Sequence, residues 1–155
     1  MGERPLAVVL AVALSATPGA VVAQDAAGGA AVFEQNCAVC HNHEGVGNPG
    51  LAPPLAGRQW TALLRDRNYL PAVLLHGLIG PIDVAGQYYA GAMAPQSALT
   101  DQELASVANY VTRTLNGAAL PPDWRDFDSG EIASMRSMAL ASGDQHRLRQ
   151  RLSAE

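Results

Sequence analysis

Cys37-Ala38-Val39-Cys40-His41 is the stretch on which the reading of this chain turns, and it holds both cysteines of the 155 residues. Two thiols spaced C-x-x-C with a histidine directly after them form the c-type haem attachment pattern. The spacing has a chemical reason. Each thiol can add to one haem vinyl group to give a thioether. The histidine that follows then lies under the ring, where an imidazole nitrogen can reach the iron. Other uses of a C-x-x-C pair compete with this one. A zinc site needs four N or S ligands, and the sequence has no second C-x-x-C and no H-x-x-x-H. A thioredoxin-like dithiol belongs in a βαβ context, whereas the flanks here are rich in Gly and Pro. A structural disulfide is not excluded by the pentapeptide alone.

Working outward, the N-terminus reads MGERPLAVVLAVALSATPGAVVAQD. Arg4 gives a weak charged start, an apolar run spans Leu6 to Leu14, and Val21-Val22-Ala23 places small residues where cleavage occurs. This is the layout of a secretory signal peptide, whose apolar region runs ~7–15 residues. A membrane span needs about 20 apolar residues, and Pro18-Gly19 interrupts this run. The expectation is a signal peptide at 1–23, a domain at 24–118, an extension at 119–155 and no membrane span after cleavage. Export and covalent haem attachment support each other, because in bacteria that attachment is completed outside the inner membrane. The expected location is therefore the periplasm.

The formal net charge is −4 and every basic residue outside the histidines is arginine. Nucleic-acid binding calls for a basic face, which this composition does not provide. Any electrostatic steering towards a partner has to come from arginines or from an acidic patch.

The rest of the chain reads as short helices joined by irregular segments. A helix is expected from about Gly29 into Cys37, with Val32, Phe33 and Asn36 facing the core. HNHEGVGNPGLAPPLAG loses periodicity and reads as a loop. WTALLRDRNYL reads as a helix ending near Asn68, and PAVLLHG as another, with Pro71 in its first turn and Gly77 as its stop. IDVAGQYY reads as a small hairpin turning at Ala85-Gly86. The clearest helix is LTDQELASVANYVTRTLNG. Thr100 and Glu103 form a T-x-x-E capping box, and Leu104, Val107, Ala108, Val111 and Leu115 recur on one face. Gly117 is placed to stop it. After Pro121-Pro122, Asp128 and Glu131 suggest a second capping box before a segment reaching about Ala141. Arg147, Arg149 and Arg151 alternate, which is not one helical face, so a solvated tail is expected.

A haem iron with one histidine needs a sixth ligand or stays open to small molecules. Met1 falls in the signal peptide, and Met135 and Met138 fall beyond the Pro-Pro boundary. Met93 lies in YYAGAMAPQ, read as a loop, where small neighbours let a thioether approach the iron. Methionine is otherwise a filler of core gaps. As a soft neutral ligand it favours reduced iron, so a Met/His pair raises the reduction potential.

These residues in this order resemble a class I cytochrome c over roughly Gly29 to Gly117. Gly29 and Phe33 precede the pentapeptide where that family packs its first helix on its last. Tyr110 and Val107 match the last helix, and Met93 matches the axial methionine. Pro53 and Leu55 resemble the stretch whose proline carbonyl accepts the axial histidine's other ring N–H, a bond that fixes the tautomer and raises ligand basicity. One departure is visible: Ala94 intervenes before Pro95, where many relatives have proline directly after the methionine.

The resemblance implies an all-α fold of three to five short helices around one covalent haem c, with a C-terminal helical extension. It implies thioether links at Cys37 and Cys40, axial ligands His41 and Met93, and one-electron transfer rather than enzyme catalysis. Within the family, HGLIGPIDVAGQYYAGAMAP resembles single-haem cytochromes that serve periplasmic dehydrogenases, so a dehydrogenase is the expected donor and a downstream cytochrome or oxidase the expected acceptor. The extension would fit a docking segment on such a partner. Arg58, Trp60 and Tyr89 are candidates for haem propionate contacts. His43 reads as solvated, His76 as a local hydrogen-bonding group at a helix end, and His146 as part of the polar tail. Two alternatives are an open-coordination haem protein that binds small gases or peroxide, and a structural subunit of a redox complex.

Overall fold

The computed structural model describes residues 19–138, 140–141 and 143–154. Most of the expected signal peptide, residues 1–18, lies outside them. The chain is mostly helical, as expected. In order it forms α1 (Gly19–Asn36), α2 (Ala38–His41), α3 (Trp60–Leu63), α4 (Tyr69–His76), β1 (Leu78–Ile79), β2 (Ile82–Val84), β3 (Gln87–Tyr89), β4 (Ala92–Met93), α5 (Asp101–Asn109), α6 (Ser129–Arg136) and α7 (Asp144–Ala154). No described helix is long and apolar enough to cross a membrane.

The core begins where α1 crosses α5. Gly29 makes the crossing possible, since a Cβ there would stand 2.2 Å from the Ser106 carbonyl oxygen. One turn on, Phe33 is fully buried and its ring lies 5.2 Å from that of Tyr110. The expected stripe on α5 is the inner one: Leu104, Val107, Ala108 and Val111 are all buried. Its N-terminus carries both halves of the capping box. The Glu103 amide donates to Thr100 Oγ1 at 3.2 Å, and the Thr100 amide donates to Glu103 Oε2 at 2.8 Å.

The end of this helix departs from expectation. From Tyr110 to Leu115 the turns widen to π-helical spacing. Thr112, fully buried, donates its hydroxyl to the Ala108 carbonyl at 2.9 Å. That is the acceptor a regular α-turn gives to the Thr112 amide, so the side chain competes with the backbone ladder. Leu115 is half-buried and is the last helical residue, Asn116 caps it, and Gly117 follows directly, at the position where a stop glycine is expected.

The helix expected to end near Asn68 is a single turn, Trp60–Leu63. Asp66 Oδ1 accepts from the Asn68 amide at 2.9 Å, a local bond that favours a turn over continued helix. The next helix starts two residues before Pro71, which still falls in the first turn, where its missing N–H costs nothing. Gly77 (φ 77°) ends it as expected.

The expected hairpin is present, with β2 pairing β3 antiparallel across Ala85-Gly86. Both turn residues have positive φ, 53° and 80°, as a tight two-residue hairpin turn requires. A second pair lies outside it: β1 pairs β4, with Leu78 opposite Met93 and Ile79 opposite Ala92. Met93 therefore sits in a short strand, not in a loop. Each strand of this outer pair is two residues long, too short to show a period in the sequence.

The extension is packed rather than solvated. Phe127, Ile132, Met135 and Leu152 join the same core as Phe33 and Leu104. Asp128 accepts from the Glu131 amide at 2.8 Å, but the Glu131 carboxylate is committed to Arg67 in a forked pair at 2.7 and 2.8 Å. Arg67 also stacks over the Phe127 ring, 4.2 Å from its centroid. α6 ends at Arg136, short of the expected Ala141. In α7 the inner stripe is Gln145, Arg149 and Leu152, all buried, at the spacing of one helical face. Residues two apart on a helix point in nearly opposite directions, so of the three alternating arginines only Arg149 turns inward.

Candidate functional site

The pentapeptide sits at the junction of α1 and α2. α1 stops at Asn36, Cys37 takes a turn position, and α2 carries Cys40 and His41. Cys37 is buried and Cys40 exposed, and both are free thiols. Burial lifts the Cys37 thiol to about 11, with Cys40 adding to the shift, so Cys37 keeps its proton at neutral pH. His41 is buried. Burial holds its pKa below the usual histidine value, and the bond to Pro53 partly opposes this. The ring is thus neutral, the form in which imidazole can bind a metal.

The Pro53 carbonyl oxygen lies 2.8 Å from His41 Nδ1. It accepts the Nδ1 proton, which leaves Nε2 with a free lone pair. Several bonds hold this carbonyl in place. The Gly47 amide donates to the His41 carbonyl at 2.8 Å, and the Leu55 amide donates to the Gly45 carbonyl at 2.7 Å. Gly47 (φ 80°) lies flat against the proline pair, where a Cβ would stand 2.6 Å from the Pro54 nitrogen. Gln59 Nε2 ties the Pro54 carbonyl at 3.1 Å. Asn116 then joins the loop to the end of the last domain helix. Its Nδ2 donates to the Leu55 carbonyl at 2.7 Å and its Oδ1 accepts from the Gly57 amide at 3.1 Å. In the sequence the Gly117 stop draws the eye, and the Asn116 beside it carries no signal of this role.

Cys37, Cys40, His41, Pro53 and Met93 all line one cavity of about 350 Å³. Its other walls are largely apolar, with Leu63, Leu70, Val73 and Val107 among them. Its mouth reaches the surface at Val39, Cys40 and Leu51, all exposed. A flat apolar macrocycle with polar substituents on one edge suits this shape and lining. One buried polar atom also asks for a partner. Trp60 lines the cavity wall, and its buried indole N–H has no hydrogen bond among the described residues.

The other expected residues divide. Tyr89 is buried and lines the cavity. Arg58 is exposed and is not part of the lining: it lies in the turn before α3, where Trp60 takes the inward position. His43 is exposed as expected and pairs with Glu34 at 2.5 Å. His146 is not free in a polar tail; its Nε2 meets the Pro81 carbonyl at 2.7 Å. His76 departs from expectation too, because its Nε2 is buried with no hydrogen-bond partner among the described residues. Two lining residues are unexpected, Tyr69 and Arg149. The 145/149/152 spacing is the signal for the second, obscured by the charge of α7.

Residues 26–114 match the family model for cytochrome c. The chain is 38% identical over 116 residues to a cytochrome c-552 of Thermus thermophilus, an alignment covering 74% of this chain and 88% of the relative. A second cytochrome c-552 of the same organism is also 38% identical, and there the alignment covers 78% of the relative. The cytochrome c subunit of the quinone alcohol dehydrogenase of Gluconobacter oxydans is 33% identical over 85 residues, which span 55% of this chain and 18% of that subunit. The attachment pentapeptide, the apolar cavity and these likenesses agree: the chain belongs to the cytochrome c family, carries covalently attached haem c and serves haem-based electron transfer.

Proposed function

We propose that this protein is a periplasmic one-electron carrier with a six-coordinate haem. His41 Nε2 and Met93 Sδ are the axial ligands. The observation that carries this reading is the His41 Nδ1–Pro53 bond on the same cavity that Met93 lines. The bond fixes which ring nitrogen is free, and Met93 is the methionine within that lining. The haem supplies the Fe(III)/Fe(II) couple. The thiols of Cys37 and Cys40 hold it by adding across two vinyl groups, sulfur to one carbon and the thiol proton to its neighbour. Pro53 orients His41 and makes it a better donor. The apolar walls limit water access and so tune the potential. Electrons pass at the mouth beside Val39, Cys40 and Leu51.

A dehydrogenase is the proposed donor and a cytochrome or oxidase the proposed acceptor. The likeness to a dehydrogenase's cytochrome subunit supports the first. Export with cleavage after Ala23 places the chain where attachment occurs.

The test is spectroscopic. Oxidised holoprotein shows the weak far-red band of sulfur-to-iron ligation, and the reduced form binds carbon monoxide poorly. Met93→Ala keeps covalent haem, loses the band and lowers the potential. A band that survives in Met93→Ala rules this ligand out. Co-purification from the periplasm identifies the donor.

A further inference from the structure

Arg149 brings a full positive charge into the interior. It is 7% exposed, and its Nη1 donates to the Tyr69 hydroxyl at 2.8 Å. Among the described residues no carboxylate pairs with it. Burying an unpaired cation costs on the order of several kcal/mol even after relaxation. The phenol does not offset that cost as an anion, because burial raises the Tyr69 pKa more than Arg149 lowers it.

Arg149 and Tyr69 line the same cavity as His41, Met93 and Trp60. Tyr69 is 4% exposed and Trp60 3%. The Trp60 N–H is unpartnered among the described residues. The Tyr69 oxygen already accepts from Arg149, so its own proton is available to donate. The guanidinium and the phenol O–H, bonded to each other, give one positive charge and a set of donors in a buried wall. Charge-assisted bonds from such a set select a carboxylate, and haem c carries two carboxylates as propionates.

We infer that Arg149 and Tyr69 hold a haem propionate, which makes the C-terminal helix α7 a working part of the haem site. This rests on the haem occupying the cavity as proposed above. The extension is then not an accessory to the domain: it supplies the counter-charge that lets a propionate stay ionised away from water. A cation beside the ring also disfavours ferric iron.

The experiment compares wild-type holoprotein with Arg149→Met and Arg149→Lys by redox-difference infrared spectroscopy and by midpoint potential. Arg149→Met shifts the propionate carboxylate bands and moves the equilibrium towards ferric iron by about tenfold, ~59 mV for a one-electron couple. Arg149→Lys keeps most of the potential and still shifts the bands, because a point charge replaces a planar fork. Carboxylate bands and potentials equal to wild type in both variants overturn the inference, even if melting temperatures fall. Should Arg149→Met not accumulate with haem, Tyr69→Phe carries the test: it keeps the ring, and unmoved carboxylate bands overturn the inference. Failure of the His/Met reading shows separately, as a missing far-red band in the wild type.

Discussion

Asn116→Ala tests whether the seam between the last domain helix and the Pro53 loop holds the site together. Asn116 is 5% exposed. Its Nδ2 donates to Leu55 O at 2.7 Å and to Val111 O at 2.9 Å, and its Oδ1 accepts from Gly57 N at 3.1 Å. Each such bond contributes about 1 kcal/mol net, and a buried acceptor left without a partner costs a further ~1–3 kcal/mol. The Val111 bond is buried and takes the full loss. Gly57 is exposed and Leu55 half-buried, so their groups regain part of theirs from water. The sum is about 3 kcal/mol. For a chain of this size that lowers the melting temperature by roughly 10 °C. The assay is thermal unfolding of ferric holoprotein, followed by circular dichroism and by the haem absorption. A loosened loop also frees the Pro53 carbonyl, so the reduction potential moves with the stability. A melting temperature within about 2 °C of wild type would refute the idea that Asn116 fastens this loop.

Two further substitutions probe the frame. Gly29→Ala pits helix propensity, which favours alanine by about 1 kcal/mol, against a Cβ driven to 2.2 Å from a backbone oxygen. Overpacking costs ~1–3 kcal/mol or more, so the variant unfolds at lower guanidinium concentration; a higher midpoint would mean that the helices can move apart freely. Thr100→Ala removes the cap and costs about 1 kcal/mol. Bonds from Thr100 hold the Glu103 carboxyl below the usual glutamate range. That contribution is complete above the ordinary glutamate pKa and is lost as pH falls through the lowered value. The gap between wild type and variant therefore narrows in acid; an unchanged gap across that range counts against the charge-assisted half of the box.

Local chemistry is legible in the sequence wherever one residue type has one physical reason to be where it is. The capping box at Thr100, the Ala85-Gly86 turn, the Gly77 stop and the inward face of α5 all depend on neighbours within a few positions. What escapes depends on distant partners. The π-widening at Tyr110 comes from a threonine competing for its own ladder. The single-turn α3 follows from the Asp66–Asn68 turn, with Arg67 bonded to Glu131 in the extension. α7 looks solvated because its inward stripe contains a glutamine and an arginine, which average as polar whatever they touch. Within the site, type and spacing single out the pentapeptide and Met93. Tyr69 and Asn116 carry no local mark, the spacing that marks Arg149 is obscured by the charge of α7, and only the folded chain brings the three to the cavity or to its loop.

The nested strand pairs place a parity constraint on the stretch from Leu78 to Met93. Neighbouring residues of a strand point to opposite sides, so Met93 faces the cavity only while Leu78 stands opposite it. Between the inner and outer pairs run two spacers of equal length, Gly80-Pro81 and Ala90-Gly91. Deleting one residue from the second spacer alone would turn the thioether away and bring Ala94 opposite Leu78 in its place. Deleting one residue from each spacer would restore the phase. For the proposed iron ligand, the arithmetic of the arm matters as much as the identity of the residue at its end.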